Sequence, residues 1–254
     1  MANAISVETR HVGKSFGSVK ALDDIDLRIS RGEFMALMGA SGSGKTTLMN
    51  ILSCLDTASS GEVWLDGVNA ATLDEEGRRE FRARHIGLVF QQFHLIPYLN
   101  ALENVMLAQH YHSVTDETSA RAALDKVGLG HRLDHLPSQL SGGEQQRVCI
   151  ARAIVNQPPI IFADEPTGNL DEENENRVLE IFEKLHAQGH TIVMVTHNPL
   201  LGNRAGRIIH LQYGRIVEGV SVVAATKEIP VSAIARQVPA SNASTMAMIE
   251  SVAP

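Results

Sequence analysis

Phe34-Met35-Ala36-Leu37-Met38 runs directly into Gly39-Ala40-Ser41-Gly42-Ser43-Gly44-Lys45-Thr46-Thr47, and Leu48-Met49-Asn50-Ile51-Leu52 follows. Five consecutive apolar residues read as a strand buried on both faces. The apolar spacing after Lys45 predicts a helix reaching Leu55. Between them the chain matches G-x-x-x-x-G-K-[ST] in the strand–loop–helix setting that this pattern requires. Glycines let backbone N–H groups turn inward and approach phosphate oxygens without a Cβ clash. The helix start adds its positive dipole end. Lys45 supplies a point charge for outer phosphates, and Thr46 offers a hydroxyl to Mg²⁺. The competing reading is an ordinary Gly-rich turn, and the setting argues against it.

Working outward, Ile25–Ile29 alternates apolar and polar residues, as a half-exposed antiparallel strand does. A turn at Ser59-Ser60-Gly61 leads into a second alternating strand, Glu62–Asp66, closed by Asp66-Gly67. Leu73–Arg84 is charged and reads as an exposed helix, ending at a short buried strand over 86–90. Residues 100–156 read as almost wholly helical, with breaks at Gly128-Leu129-Gly130 and Pro137. Buried strands at Ile160–Ala163 and Thr191–Val195 flank a helix from Asp171 to Gln188. The acidic run Asp171–Glu175 suits that helix's N-terminus. Arg207–Leu211 and Arg215–Val217 predict a closing hairpin. Short apolar runs alternating with helices imply a mainly parallel α/β sheet covered on both faces.

Two further segments carry chemistry. Ile160-Ile-Phe-Ala-Asp164-Glu165 ends a buried strand with two carboxylates, at the sheet end where α/β folds bind ligands. Asp164 suits Mg²⁺ held through water, and Glu165 suits polarising an attacking water. Leu140-Ser141-Gly142-Gly143-Glu144-Gln145-Gln146-Arg147 opens a helix, with Ser141 as N-cap and two glycines exposing N–H groups. That is a second anion site, about a hundred residues from the first by the same helix-terminus logic. Each alone has a bland reading, solvated acids or an ordinary capped helix; together with the phosphate loop they form a specific set.

These residues resemble the nucleotide-binding subunit of ABC transporters over residues 3–219. The resemblance implies a phosphate-loop (RecA-like) core over 1–91 and 157–219, a flanking antiparallel sheet and a helical subdomain over 92–156. It implies ATP and Mg²⁺ as ligands, and hydrolysis of ATP. Phe16 would stack on adenine, and the loop from Gly39 through Ala40, Ser41, Gly42, Ser43, Gly44, Lys45, Thr46 and Thr47 would hold the phosphates. Thr46, Gln91 and Asp164 would serve Mg²⁺, Glu165 the attacking water, and His197 the γ-phosphate. Ser141, Gly142, Gly143 and Glu144 would close over the ATP of a second copy in a head-to-tail homodimer. Asn169-Leu170-Asp171 would link the two sites. Glu144 stands where glutamine is commonest in the family.

Val89-Phe-Gln-Gln-Phe-His-Leu-Ile-Pro97, Ala101-Leu-Glu-Asn-Val105 and Ala163-Asp-Glu-Pro-Thr-Gly-Asn-Leu-Asp171 resemble one group within the family, the lipoprotein-release, macrolide-export and cell-division ATPases. The implied partner is an integral membrane permease, with Phe93, Leu95, Ile96, Tyr98 and Leu99 as its docking surface. A regulatory cell-division ATPase that moves no substrate is the alternative.

Composition sets the limits. A net charge of −7 argues against a nucleic-acid partner. The two cysteines, Cys54 and Cys149, give no disulfide framework and imply reduced thiols in the cytosol. The opening residues lack a signal-peptide pattern, and the absence of a long apolar run implies no membrane insertion by the chain itself. The expected place is therefore cytoplasmic, on the inner face of the membrane through a permease. Residues 220–254 hold four charged groups and no aromatic residue, composition expected of a weakly ordered tail or docking segment. His131 and His135, four apart, lack a third ligand at metal spacing and read as a solvated face.

Overall fold

A computed structural model describes residues 4–110 and 114–217. Its strands are β1 (Ile5–Phe16), β2 (Val19–Ser30), β3 (Phe34–Met38), β4 (Ser60–Leu65), β5 (Val68–Asn69), β6 (Ile86–Val89), β7 (Ile160–Asp164), β8 (Thr191–Val195), β9 (Arg207–Gln212) and β10 (Arg215–Val217). Its α-helices are α1 (Lys45–Leu52), α2 (Glu75–His85), α3 (Ala101–His110), α4 (Glu117–Lys126), α5 (Gly142–Ile154), α6 (Glu172–Ala187) and the short α7 (Pro199–Gly202).

Six strands form one sheet in the order β10-β9-β3-β8-β7-β6, parallel except for the β9–β10 pair. The unbroken apolar runs of β3, β7 and β8 follow from burial on both faces. Phe34, Ala36 and Met38 pack with Val105, Val148 and Phe182 of α3, α5 and α6. Met35 and Leu37 point the other way, onto Leu48 and Leu52 of α1. That second core also takes Val7, Ile25 and Ile29 from the antiparallel sheet, ordered β2-β1-β4-β5. Because β3, β8 and β7 are adjacent and parallel, the loops after them open at the same end of the sheet.

Several expectations need correction. β1 was not legible, because its buried positions include Ser6, Thr9 and Lys14 and its phase breaks between Thr9 and Val12. His11 stands in that bulge with φ 52°. β2 extends well beyond Ile25–Ile29, to Val19–Ser30. α1 stops at Leu52 instead of Leu55: Cys54 turns left-handed, and the amides of Leu55 and Asp56 both donate to the Asn50 carbonyl. The segment 127–136 is non-helical, a longer break than the glycines announced. Asp74 caps α2 through the Gly77 amide, and Asp171 caps α6 through the Asn174 amide. The expectation for residues 220–254 lies outside the described residues.

Phe162 is fully buried at the middle of β7. Phe162→Ala is expected to lose about 3–5 kcal/mol of stability by urea unfolding, through lost transfer energy and the cavity left behind.

Candidate active site

The loop after β3 closes on itself around Lys45. The Lys45 ammonium donates to the carbonyls of Gly39 and Ala40, at 2.8 and 2.9 Å, so its charge is held across the mouth of the loop. Gly39 is required sterically: a Cβ there would lie 2.2 Å from the Leu211 carbonyl and 2.7 Å from Ser43 Oγ. Ser43 Oγ is itself buried without a protein partner among the described residues. The turn between β9 and β10 braces the loop from behind, where the Gly214 amide donates to the Ser43 carbonyl at 3.0 Å and the Asp23 amide to the Gly214 carbonyl at 2.8 Å.

Across the cleft, β7 ends at Asp164 and the chain turns sharply at Glu165, whose φ is 45°. A left-handed glutamate is strained and persists only when its surroundings hold it. Here the Glu165 amide donates to the Val195 carbonyl at 2.9 Å, and the Gly168 amide donates to the Glu165 carbonyl at 3.0 Å. Glu165 Oε1 accepts from His197 Nδ1 at 2.8 Å; the carboxylate is mostly sheltered and the imidazole mostly exposed. Thr46 Oγ1 donates to Asp164 Oδ2 at 3.4 Å. The Asp164 carboxyl is raised above its ordinary range, first by burial and then by the neighbouring Glu165 charge, against the pull of Thr46 and Lys45.

The cleft holds about 810 Å³ and is lined by Ser41, Gly42, Gly44, Lys45, Thr46, Thr47, Asp164, Glu165 and His197. Val19, Lys20, Ala21, Tyr213 and Gly214 also line it, and sequence reasoning missed all five. Val19, Lys20 and Ala21 open β2, and Tyr213 and Gly214 form the β9–β10 turn, positions that local pattern cannot bring to one cleft. Tyr213 is 87% exposed with φ 49°, so an exposed aromatic in the β9–β10 turn was the one available signal. Phe16 lies outside the lining set but pairs with Val19 at the cleft edge. Its ring is exposed, with Lys14 Nζ 5.0 Å from the centroid.

Gln91 and Ser141–Glu144 do not line this cleft. Instead a packed path leads from Gln91 to them. Asn169 Nδ2 donates to the Gln91 carbonyl at 3.3 Å, and Leu170 lies against Gly142. Asp171 caps α6 and holds Asn174, whose Oδ1 accepts from Arg147 at 3.3 Å. A Cβ on Gly143 would fall 2.1 Å from that same Asn174 oxygen. Ser141 caps α5 as expected, and Glu144 completes a capping box: Ser141 Oγ accepts from the Glu144 amide, and Glu144 Oε2 from the Ser141 amide. His131 and His135 join no ligand set among the described residues; His135 Nε2 accepts from Arg132.

The oxygen donors fit a magnesium–nucleotide complex. A glycine cradle that a Cβ would fill, an unpartnered buried hydroxyl and two adjacent carboxylates facing one cation form a set suited to phosphate with a hard divalent ion.

Comparison with known proteins bears on this arrangement. A family model described as ABC transporter matches residues 22–168. The chain belongs to the ABC transporter family. It carries that family's ATP-binding, ATP-hydrolysing cassette fold. It is 48% identical over 220 residues to the ABC transporter ATP-binding protein YbbA of Escherichia coli K12, covering 84% of this chain and 96% of YbbA. It is 47% identical over 219 residues to the macrolide export ATP-binding/permease protein MacB of Bartonella quintana, covering 85% of this chain but 33% of MacB. A solved structure described as a dimeric post-hydrolysis state of the ATP-binding cassette MJ0796, bound to ADP and Pi, superposes with a TM-score of 0.79. That match has 40% identity and covers 85% of this chain and 98% of MJ0796. The MacB likeness agrees with the export-type group named from the sequence.

The raised Asp164 carboxyl has a consequence for stability. Its ionised form disfavours the folded chain, a penalty absent below the ordinary value of 3.8 and complete once the pH passes the raised value. At neutral pH, Asp164→Asn should therefore raise the melting temperature of the nucleotide-free ATPase, by roughly 2–4 °C per kcal/mol relieved. Scanning calorimetry should show that gain vanish as the pH falls towards 3.8.

Proposed function

We propose that this chain is the motor subunit of an export or release machine, working as a head-to-tail homodimer with MgATP between the copies. The observation that carries the reading is a separation within one chain. The cleft gathers the phosphate loop, Asp164, Glu165 and His197, while the α5 start with its free-facing Gly142 and Ser141 lies outside it. A second copy turned head to tail supplies the missing wall. The dimeric MJ0796 cassettes support that assembly.

In this reading Lys45 and the loop amides offset the outer phosphates, and Phe16 and Tyr213 flank the base. Thr46 and Asp164 would hold Mg²⁺, whereas the Mg²⁺ role expected of Gln91 is not carried over, since Gln91 does not line the cleft. Bound there, Mg²⁺ would offset the negative charge on the phosphate oxygens and so ease attack of water at the γ-phosphorus. His197 fixes Glu165 through Oε1, leaving Oε2 to receive the proton of the attacking water. Residues 169–171 carry the state of one site to the α5 start that serves the other.

The domain division follows the same reading, with a helical subdomain over 92–156 between core segments 1–91 and 157–219. A groove of about 480 Å³ lies where the two meet, floored by Leu88, Phe90, Ala108 and Ala153. It suits a segment of a membrane permease. Tyr98 is 77% exposed, whereas Leu95 packs against the core and Phe93 is only part-exposed. No helix among the described residues is long and apolar enough to cross a membrane, so the permease provides attachment to the inner face.

Glu165→Gln keeps size and hydrogen bonding but removes the proton acceptor. Hydrolysis should fall by roughly two to four decades, about 3–5 kcal/mol of barrier. The variant should run as a dimer with MgATP in size-exclusion chromatography, and adding Ser141→Arg should return it to monomer. Wild-type turnover in Glu165→Gln would assign the base elsewhere.

A further inference from the structure

Glu144 places a carboxylate in the first turn of α5, beside the Ser141 cap and the amides of Gly142 and Gly143. If this helix start meets the phosphates of a second copy, as proposed above, that carboxylate is a like charge at the approach of an anion. The backbone amide of Ser141, then Arg132, hold it ionised, against its partial burial. The charge therefore stays where it is least suited to phosphate.

We infer that Arg132 is a positioning residue that neutralises Glu144 and so makes the α5 start competent to receive phosphate. Both Glu144 oxygens are engaged: Oε2 accepts from the Ser141 amide at 2.8 Å, and Oε1 accepts from Arg132 Nε at 3.1 Å. Arg132 is aimed by its own neighbours. Its Nη1 donates to His135 Nε2 at 3.0 Å, and its amide donates to the Leu129 carbonyl at 2.9 Å. The segment is anchored in turn at α3, where the amides of Ala101 and Leu102 donate to the carbonyls of His135 and Leu133. Arg147, the other cation near Glu144, is buried and directs its Nη1 to Asn174. Arg132 is thus the guanidinium set directly on the carboxylate. A neutral glutamine at 144 could keep the bond from the Ser141 amide and would need no such cation.

The test is a double-mutant cycle in the full chain carrying Glu165→Gln, with ATP-driven dimerisation followed by analytical ultracentrifugation. Arg132→Ala should weaken dimerisation by roughly tenfold where Glu144 is present. In the Glu144→Gln background the same change should cost less than about twofold, since no charge remains to offset. Arg132→Lys, which keeps the charge, should stay near the parent. The penalty should also shrink between low and high salt, as an electrostatic effect does. Equal penalties in both backgrounds, unmoved by salt, would make Arg132 a brace for the 129–136 segment and overturn the inference alone. A Glu165→Gln chain that stays monomeric at saturating MgATP overturns the dimer reading and this inference with it.

Discussion

Asp164 and Glu165 occupy consecutive positions at the end of a buried strand, and sheltering two adjacent carboxylates from water is the constraint on which the rest of the site depends. Burial raises Asp164, and Glu165 raises it further. The left-handed turn at Glu165 sends the second carboxylate towards His197. Lys45 lines the same cleft but gives two of its three donors to the loop's own carbonyls. The folded chain thus holds negative charge that a divalent cation and a phosphate cradle would offset together. Stability given up at such a place is a common companion of function.

What was legible from the sequence was what local rules determine. The glycine spacing before Lys45 is a steric demand, and Gly39 against the Leu211 carbonyl shows how little room remains. The apolar runs of β3, β7 and β8 announced burial on both faces, and Asp171 and Ser141 announced helix starts. β1 escaped because a bulge at His11 shifts its phase and because Ser6, Thr9 and Lys14 are among its buried residues. Ala21, Tyr213 and Gly214 escaped because tertiary packing brings them to the cleft, and no spacing along the chain encodes that. The docking segment was read as more exposed than it is, since Leu95 packs against the core and Phe93, Ile96 and Leu99 are half-buried.

Under the proposed reading, the same packing would join the cleft to the α5 start. Gln91, Asn169, Leu170, Asp171, Asn174 and Arg147 form a continuous set of contacts from the loop after β6 to the α5 start. Phe93 adds a second tie, since its carbonyl accepts from Arg152 and from Cys149 on α5. A partner seated near the 88–99 segment would therefore bear on the helix that carries Ser141, through hydrogen bonds rather than through a flexible linker.

All of this rests on the loop after β3 being the nucleotide phosphate site. Isothermal titration of MgATP into the wild-type chain and into Lys45→Ala tests that claim most directly, because Lys45 is the cation within the loop. The account predicts saturable binding by the wild type and its near-complete loss in Lys45→Ala, with an unchanged melting profile showing that the variant is folded. Equal affinity in the two proteins would contradict it.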